Sequence, residues 1–178
     1  MSARALELRF AGSGGQGLQL SAKILAGALL RAGRTVALSQ SYEPTSRGGL
    51  SRCDVVMGAN GEPVDYPLAS ALDVLVLLDT VAAPSSLPLL RPGALVLADA
   101  TRAVPVAAEG AEIRELPFTT LARSLGSERV ANIVALGTLI AAAAPCPLAA
   151  VETVLREETP RKFLDLNIEA LATGFRLG

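Results

Sequence analysis

Apolar positions along the chain alternate between two spacings. Leu6 to Ala11 reads as a short strand. From Leu18 onward, apolar side chains recur at Leu18, Leu25 and Leu29 with Ile24 and Ala28 beside them, the one-sided stripe of a helix that Gly33 ends. Arg34 to Ser41 contains a second strand. Leu50 to Gly58 alternates and follows its loop with no helix between, which predicts antiparallel pairing with a neighbour. Val74 to Leu78 is an unbroken apolar run between Asp73 and Asp79, the pattern of a strand buried on both faces. Pro84 to Leu90 reads as a short helical or irregular crossover. Arg91-Pro92-Gly93 reads as a turn into a buried strand, Ala94 to Ala98, that ends at Asp99. Ile113 to Pro117 predicts one more strand, and Thr119 to Leu125 a short helix.

Asn132 to Ala144 is apolar on nearly every side, so a helix there must be covered all round, and another subunit is expected to supply part of the cover. Pro147 starts a further helix with Leu148, Val151 and Leu155 on one face. Thr159 and Pro160 read as N-cap and first residue of the last helix, striped by Leu164, Ile168 and Leu171, with Gly174 as its stop. The fold class expected is α/β, a single domain over 1–178: a Rossmann-like, mostly parallel sheet with flanking helices and one antiparallel strand. Its length suffices to bury a core. The uncharged stretch Val130 to Val151 is broken by Pro145-Cys146-Pro147. The remaining helix, roughly 22 Å at 1.5 Å per residue, falls short of a bilayer core of about 30 Å. No membrane association is expected, and Met1-Ser-Ala-Arg4 leads straight into a strand, so a cytoplasmic location is.

Composition narrows the chemistry. Lys plus Arg number 16 against 17 Asp plus Glu, and aromatics make up 3%, so neither a basic footprint nor a stacking platform for nucleic acid is present. Histidine is absent, which removes every imidazole-based acid, base, triad or metal site. Two cysteines, Cys53 and Cys146, are too few for an all-cysteine zinc site or a cubane cluster. They read as free, buried thiols of a reducing compartment, and no metal site is assigned.

Two loops carry candidate chemistry. The first is Gly12-Ser13-Gly14-Gly15-Gln16-Gly17, where strand one turns into a helix whose free N–H groups and positive end suit an anion or a carbonyl. A dinucleotide site wants an acid ending the second strand, and none stands there; Leu18 and Gln19 replace the Lys-Ser/Thr of a P-loop. The second is Gln40 to Gly49, in which Arg47 stands beside Gly48 and Gly49. It fits an anion held by a guanidinium fork and bare N–H groups, and equally a turn with Arg47 tied to a local carbonyl. Asp79 and Asp99 each follow a buried strand; capping or turn formation is the favoured role over a paired acid/base site.

Three pieces together resemble a known family: Gly12 to Gly17 after the first strand, Ser41-Tyr-Glu-Pro-Thr-Ser-Arg-Gly-Gly49 after the second, and Ala131-Asn132 through Gly137 late in the chain. They look like the gamma subunit of the 2-oxoacid:ferredoxin oxidoreductases of the 2-oxoglutarate or branched-chain type, and the likeness runs from Leu6 to about Gly174. Lys162, Asn167 and Ala170 belong to it; Glu43-Pro-Thr departs from the family's usual Gly-Pro-Glu. The resemblance implies an enzyme that decarboxylates a 2-oxoacid on thiamine diphosphate, passes electrons through iron–sulfur clusters to ferredoxin and makes an acyl-coenzyme A. It implies that thiamine diphosphate and the clusters lie on alpha and beta chains, with a ferredoxin-like delta chain in some members. This chain is then a structural and interface subunit that binds no cofactor alone and carries no catalytic residue. Gly12, Gly14, Gly15, Gln16, Gly17, Arg47, Gly48, Gly49 and Asn132 form the expected cofactor-binding or interface set. The competing readings are a stand-alone Rossmann-like enzyme on a nucleotide or flavin, and a ligand-binding regulatory module.

Overall fold

A computed structural model describes residues 5–43, 48–59 and 62–178. Six strands form one sheet in the order β2-β3-β1-β4-β5-β6. They are β1 Leu6–Ser13, β2 Val36–Tyr42, β3 Leu50–Met57, β4 Leu72–Leu77, β5 Leu90–Asp99 and β6 Glu112–Leu116. β1, β4, β5 and β6 run parallel, while β3 lies antiparallel to both β1 and β2. The helix-free connection into β3 had predicted this reversal. The apolar run in β4 is buried at every position, as a central strand with both faces covered requires. β5 begins earlier than expected: Leu90 pairs with Leu72, so Arg91-Pro92-Gly93 lies within the strand and not in a turn before it.

The helices are α1 Leu18–Arg31, α2 Ala83–Ser86, α3 Phe118–Ser124, α4 Ala131–Ala143, α5 Leu148–Glu158 and α6 Arg161–Leu177. Five of them cover one face of the sheet. There Leu8, Phe10, Cys53, Val55 and Val76 meet the α1 stripe together with Phe118, Ile133, Leu136, Val151 and Leu171. Each large side chain buried this fully contributes roughly 1.5–3 kcal/mol relative to exposure. The other face is thinly covered, by α2, its flanking turns and the segment before β4, against Leu75, Leu77, Val96 and Ala98.

Three expectations at the carboxyl-terminal end are corrected. α4 is buried continuously from Asn132 to Ile140, and α1, α3 and α6 of the same chain cover it, so a second subunit is not needed for that. Gly174 does not stop α6, which continues to Leu177. A Cβ on Gly174 would overlap the backbone of Val134, and one on Gly137 would overlap that of Leu171 and Phe175. The two glycines let α4 and α6 pack backbone to backbone, and Thr138 Oγ1 donates across that seam to Gly174 O at 2.9 Å. Pro160 takes the cap position of α6, with Arg161 first in the helix, one residue later than the sequence suggests, and Thr159 Oγ1 is buried without a hydrogen-bond partner among the described residues. No helix among the described residues is long and apolar enough to cross a membrane.

Candidate functional site

At the carboxyl end of β1 the chain leaves for one side of the sheet through α1, and it later reaches β4 from the opposite side. Open α/β sheets form their ligand crevices where connections diverge in this way. Here the crevice between β1 and β4 is filled from within. Gln16 folds back over it, its Oε1 accepting from Ser13 N at 2.7 Å and its Nε2 donating to Leu78 O at 3.1 Å. Gly12 is the last-but-one residue of β1, and a Cβ there would overlap the Gln16 amide oxygen. Gly12 is therefore glycine to admit Gln16, and Gln16 stitches the turn to the sheet.

The remaining glycines shape the outer surface. Gly15 and Gly17 adopt φ of 93° and 74°, the left-handed region that glycine enters without cost. Gly14 N donates to Gly49 O at 2.9 Å, so the two candidate loops meet side by side. Arg47 lies outside the described residues, whereas Gly48 and Gly49 join Ser13 to Gln19, Tyr42, Glu43, Leu50 and Ser51 around an open cleft of about 520 Å³. Leu18 and Gln19 precede the first helical hydrogen bond of α1, from Ser21 N to Gly17 O, so their N–H groups are free for other acceptors. The cleft is thus walled by glycine backbone together with side chains that include Gln19, Tyr42, Glu43 and Leu50, beside the positive end of a 14-residue helix.

Asn132 locks this arrangement from below. It is 2% exposed. Its Nδ2 donates to Gly17 O at 2.9 Å and to Ser21 Oγ at 3.0 Å, and Ser21 Oγ donates to Asn132 O at 3.2 Å. A Cβ on Gly17 would come within 2.6 Å of Nδ2, so the pairing also demands glycine there. Of the expected residues, the structure brings the Gly12–Gly17 turn, Gly48, Gly49 and Asn132 together. It divides their work: Gly12, Gln16 and Asn132 point inward and hold the turn, and Gly14, Gly15, Gly48 and Gly49 face the cleft. Sequence reasoning singled out neither Ser21 nor Leu78, since both act through contacts distant in the chain.

The carboxylates named earlier serve as caps. Asp79 accepts from Val81 N at 3.1 Å. Asp99 accepts from Thr101 N at 3.1 Å, Thr119 N at 3.3 Å and the Thr119 hydroxyl. Asp99 lies at the floor of a second cleft of about 280 Å³ on the other side of Gly15, with Arg102, Glu128 and Arg129 at its mouth. Hydrogen bonds from Arg102 and then Arg123 hold the Glu128 carboxyl below the usual range. Both thiols are free and buried. Burial pushes Cys53 up to about 11, with the Asp54 charge adding to it, and burial alone takes Cys146 to about 11. Protonated thiols inside the core do not suit cluster iron, and no group of three or more His, Cys, Asp or Glu among the described residues is placed to hold a metal.

Comparison with known proteins agrees along the whole chain. The family model described as pyruvate ferredoxin/flavodoxin oxidoreductase matches residues 7–177. The chain is 31% identical to the 2-oxoglutarate synthase subunit KorC of Archaeoglobus fulgidus, over 98% of its own length and 89% of that protein's. It is also 31% identical to the ketoisovalerate oxidoreductase subunit VorA of Methanothermobacter thermautotrophicus, where it spans only 35% of a longer chain. The crystal structure of the keto/oxoacid ferredoxin oxidoreductase gamma subunit from Geobacter sulfurreducens superposes with a TM-score of 0.84 at 31% identity, covering 96% of each chain. A 2-oxoglutarate:ferredoxin oxidoreductase from Magnetococcus marinus shares the fold, with a TM-score of 0.85 at 24% identity over 98% of this chain and 31% of that one. The glycine turn, the loop that meets it and the helix that latches the turn are therefore parts of a chain that belongs to the pyruvate ferredoxin/flavodoxin oxidoreductase family.

Proposed function

We propose that this chain is the gamma-type subunit of a multi-subunit 2-oxoacid:ferredoxin oxidoreductase, one that decarboxylates a 2-oxoacid and forms an acyl-coenzyme A. The observation that carries this is the near end-to-end match to separate gamma-type chains such as KorC and the Geobacter gamma subunit. Alpha and beta chains hold thiamine diphosphate and the iron–sulfur clusters, with a ferredoxin-like delta chain where the complex has one, and electrons leave to ferredoxin in the cytoplasm. Two free thiols are in keeping with a reducing compartment.

This chain contributes the shaped surface around the Gly14–Gly49 contact. Its N–H groups at the start of α1 suit a phosphate of coenzyme A or a backbone carbonyl of a neighbouring subunit. When bound, coenzyme A supplies the thiol that accepts the acyl group; the residues here only hold and orient. Arg47, next to Gly48 in the sequence, would add a cation to that edge. A Cβ on Gly14 would approach nothing closer than Gly49 O at 3.8 Å, so Gly14→Leu fills the cleft without displacing the fold.

The test is reconstitution of the full complex with wild type, Gly14→Leu and Arg47→Ala, followed by 2-oxoacid-dependent dye reduction. A raised KM for coenzyme A, or failure of the subunits to co-purify, is expected for both variants. Wild-type assembly and kinetics in both would reject a role for this cleft. Turnover of a 2-oxoacid by the lone chain would reject the non-catalytic assignment.

A further inference from the structure

The two outer strands of the sheet are finished differently. β6 carries Glu112, Arg114 and Glu115 within five residues, and Arg114 pairs with Glu112 at 2.8 Å. Charges along an edge deter another strand from adding to it. β2, at the opposite edge, reads Val-Ala-Leu-Ser-Gln-Ser-Tyr, with no charge and no proline in seven residues. Among the described residues its strand partner is β3 alone, in register from Val36 with Met57 to Tyr42 with Ser51. Among the described residues, no strand pairs with its outer edge, and the strand itself carries neither charge nor proline to discourage pairing. Tyr42 at the end of the strand is 67% exposed, and Leu30, in the last turn of α1 near Val36 and Leu38, is 58% exposed.

A groove of about 360 Å³ runs along this edge between β2, α1 and α5, with an apolar floor that includes Ala26, Leu30, Val36, Leu38 and Val154. Its rim carries both signs of charge, matched within the chain: Lys23 with Glu158 at 2.6 Å and Arg31 with Glu157 at 2.5 Å. An uncharged strand beside a self-neutralised rim is a surface that can meet its own copy without repulsion.

We propose that β2 pairs antiparallel with β2 of a second copy of this chain, about a twofold axis at Ser39. In that register Val36 faces Tyr42 of the other copy, Ala37 faces Ser41, Leu38 faces Gln40, and Ser39 faces itself. Even positions meet even positions, so each side chain stays on its own face of one continuous sheet. Val36 against Tyr42 is the β-branched and aromatic combination that stabilises cross-strand pairs. No like charges oppose one another, which an interface made of the same patch twice requires. The twofold also sets both α1 helices on one side of the seam, so the two apolar grooves flank the joint.

The test is sedimentation of the full chain across the micromolar range, with hydrogen exchange read at the β2 amides. A dimer is expected, with β2 exchange slowing as concentration rises. Ser39→Lys and Ser39→Asp each place like charges on the axis and should weaken dimerisation at least about tenfold, or about 1.4 kcal/mol. An equal mixture of the two variants should restore it. Thermal melts establish that both fold, and Gln40→Lys, at an exposed position of the same edge, gives the same reading if either melts early. A wild-type monomer throughout, or variants that dimerise like wild type, would overturn the proposal. So would β2 amides that gain protection only when another subunit of the complex is added, which would assign the edge to a partner's strand instead.

Discussion

The two faces of the sheet solve the same burial problem by opposite means. On one, α1 and α4 press apolar side chains against the strands, α3, α5 and α6 pack around them, and the seam between α4 and α6 is tight enough to need Gly137 and Gly174. On the other, Arg9 and Asp54 face each other from paired positions on β1 and β3, each 2% exposed. Arg9 donates to both carboxylate oxygens, at 2.7 and 2.9 Å, and to Ser85 O at 3.1 Å, while Ala69 N donates to Asp54 at 3.0 Å. Two residues along β1, Glu7 receives Arg91 at 2.8 Å and the N–H groups of Ser70 and Ala71. The short helices and irregular segment on this side cannot supply a thick apolar layer. The charged pairs instead pin that thin cover to the strands through its own backbone. Shape holds the first face and fixed polar geometry holds the second.

The largest effect is expected where shape is least forgiving. Gly174→Leu drives a side chain into the Val134 carbonyl, and both opposing groups are backbone, so no rotamer change can make room. Ordinary overpacking costs about 1–3 kcal/mol. Here more than about 4 kcal/mol is expected, a large share of the roughly 5–15 kcal/mol that holds a domain folded. The measurements are the urea midpoint and the yield of folded chain; a midpoint near wild type would show that the two helices are looser than described.

Next comes the charged face. Arg9→Met leaves Asp54 buried with Ala69 N as its remaining donor, and losing one partner of a buried pair costs about 3–5 kcal/mol. The double change Arg9→Met with Asp54→Leu removes the stranded charge but also the contacts to Ser85 O and Ala69 N, so it should recover only part of that loss. A thermodynamic cycle on the two single variants and the double decides it. A double variant as stable as wild type would mean that the pair merely neutralises itself and does not hold the cover in place.

Much of this architecture was legible in the sequence, and the failures have specific causes. Val74 to Leu78 carried the pattern of a buried strand, realised as Leu72–Leu77, and the helix-free entry to Leu50–Met57 pointed to its direction. Gly174 misled because a glycine after an apolar stripe marks a helix end and a helix crossing alike; the difference lies in Val134, 40 residues away in the chain. Arg9 reads as the polar half of an alternating strand, and its burial depends on the register that sets Asp54 beside it. At the candidate site, spacing disclosed the glycines but not their reasons. Gly12 answers to Gln16 reaching Leu78, and Gly17 answers to Asn132, contacts that no local window contains.

Acid should separate the two faces further. Burial raises the Glu7 pKa, but the N–H groups of Ala71 and Ser70 and the Arg91 guanidinium outweigh it and hold the carboxyl below its ordinary value of 4.5. A group depressed on folding adds stability above its unfolded pKa and loses it as pH falls through the folded value. Glu7→Gln should therefore lower the melting temperature at pH 7 and flatten its decline below about pH 4.5. An acid limb as steep as that of wild type would place the titrating charge elsewhere.

The smallest effect belongs to the thiols, and it probes the helical face alone. Cys53 and Cys146 are protonated far above neutrality, at about 11, because the core disfavours the thiolate. The thiolate is the reactive form, so a disulfide-exchange reagent at pH 8 should find both sites slow in the folded chain and fast in urea. Cys53 opposes Phe10 in the middle of the β1–β3 pair, whereas Cys146 is 8% exposed between α4 and α5. Labelling Cys53 requires strands to part, while local opening at the α4–α5 turn suffices for Cys146. In mild denaturant Cys146 should thus label first, and equal rates would mean that the helical layer and the sheet open as one unit.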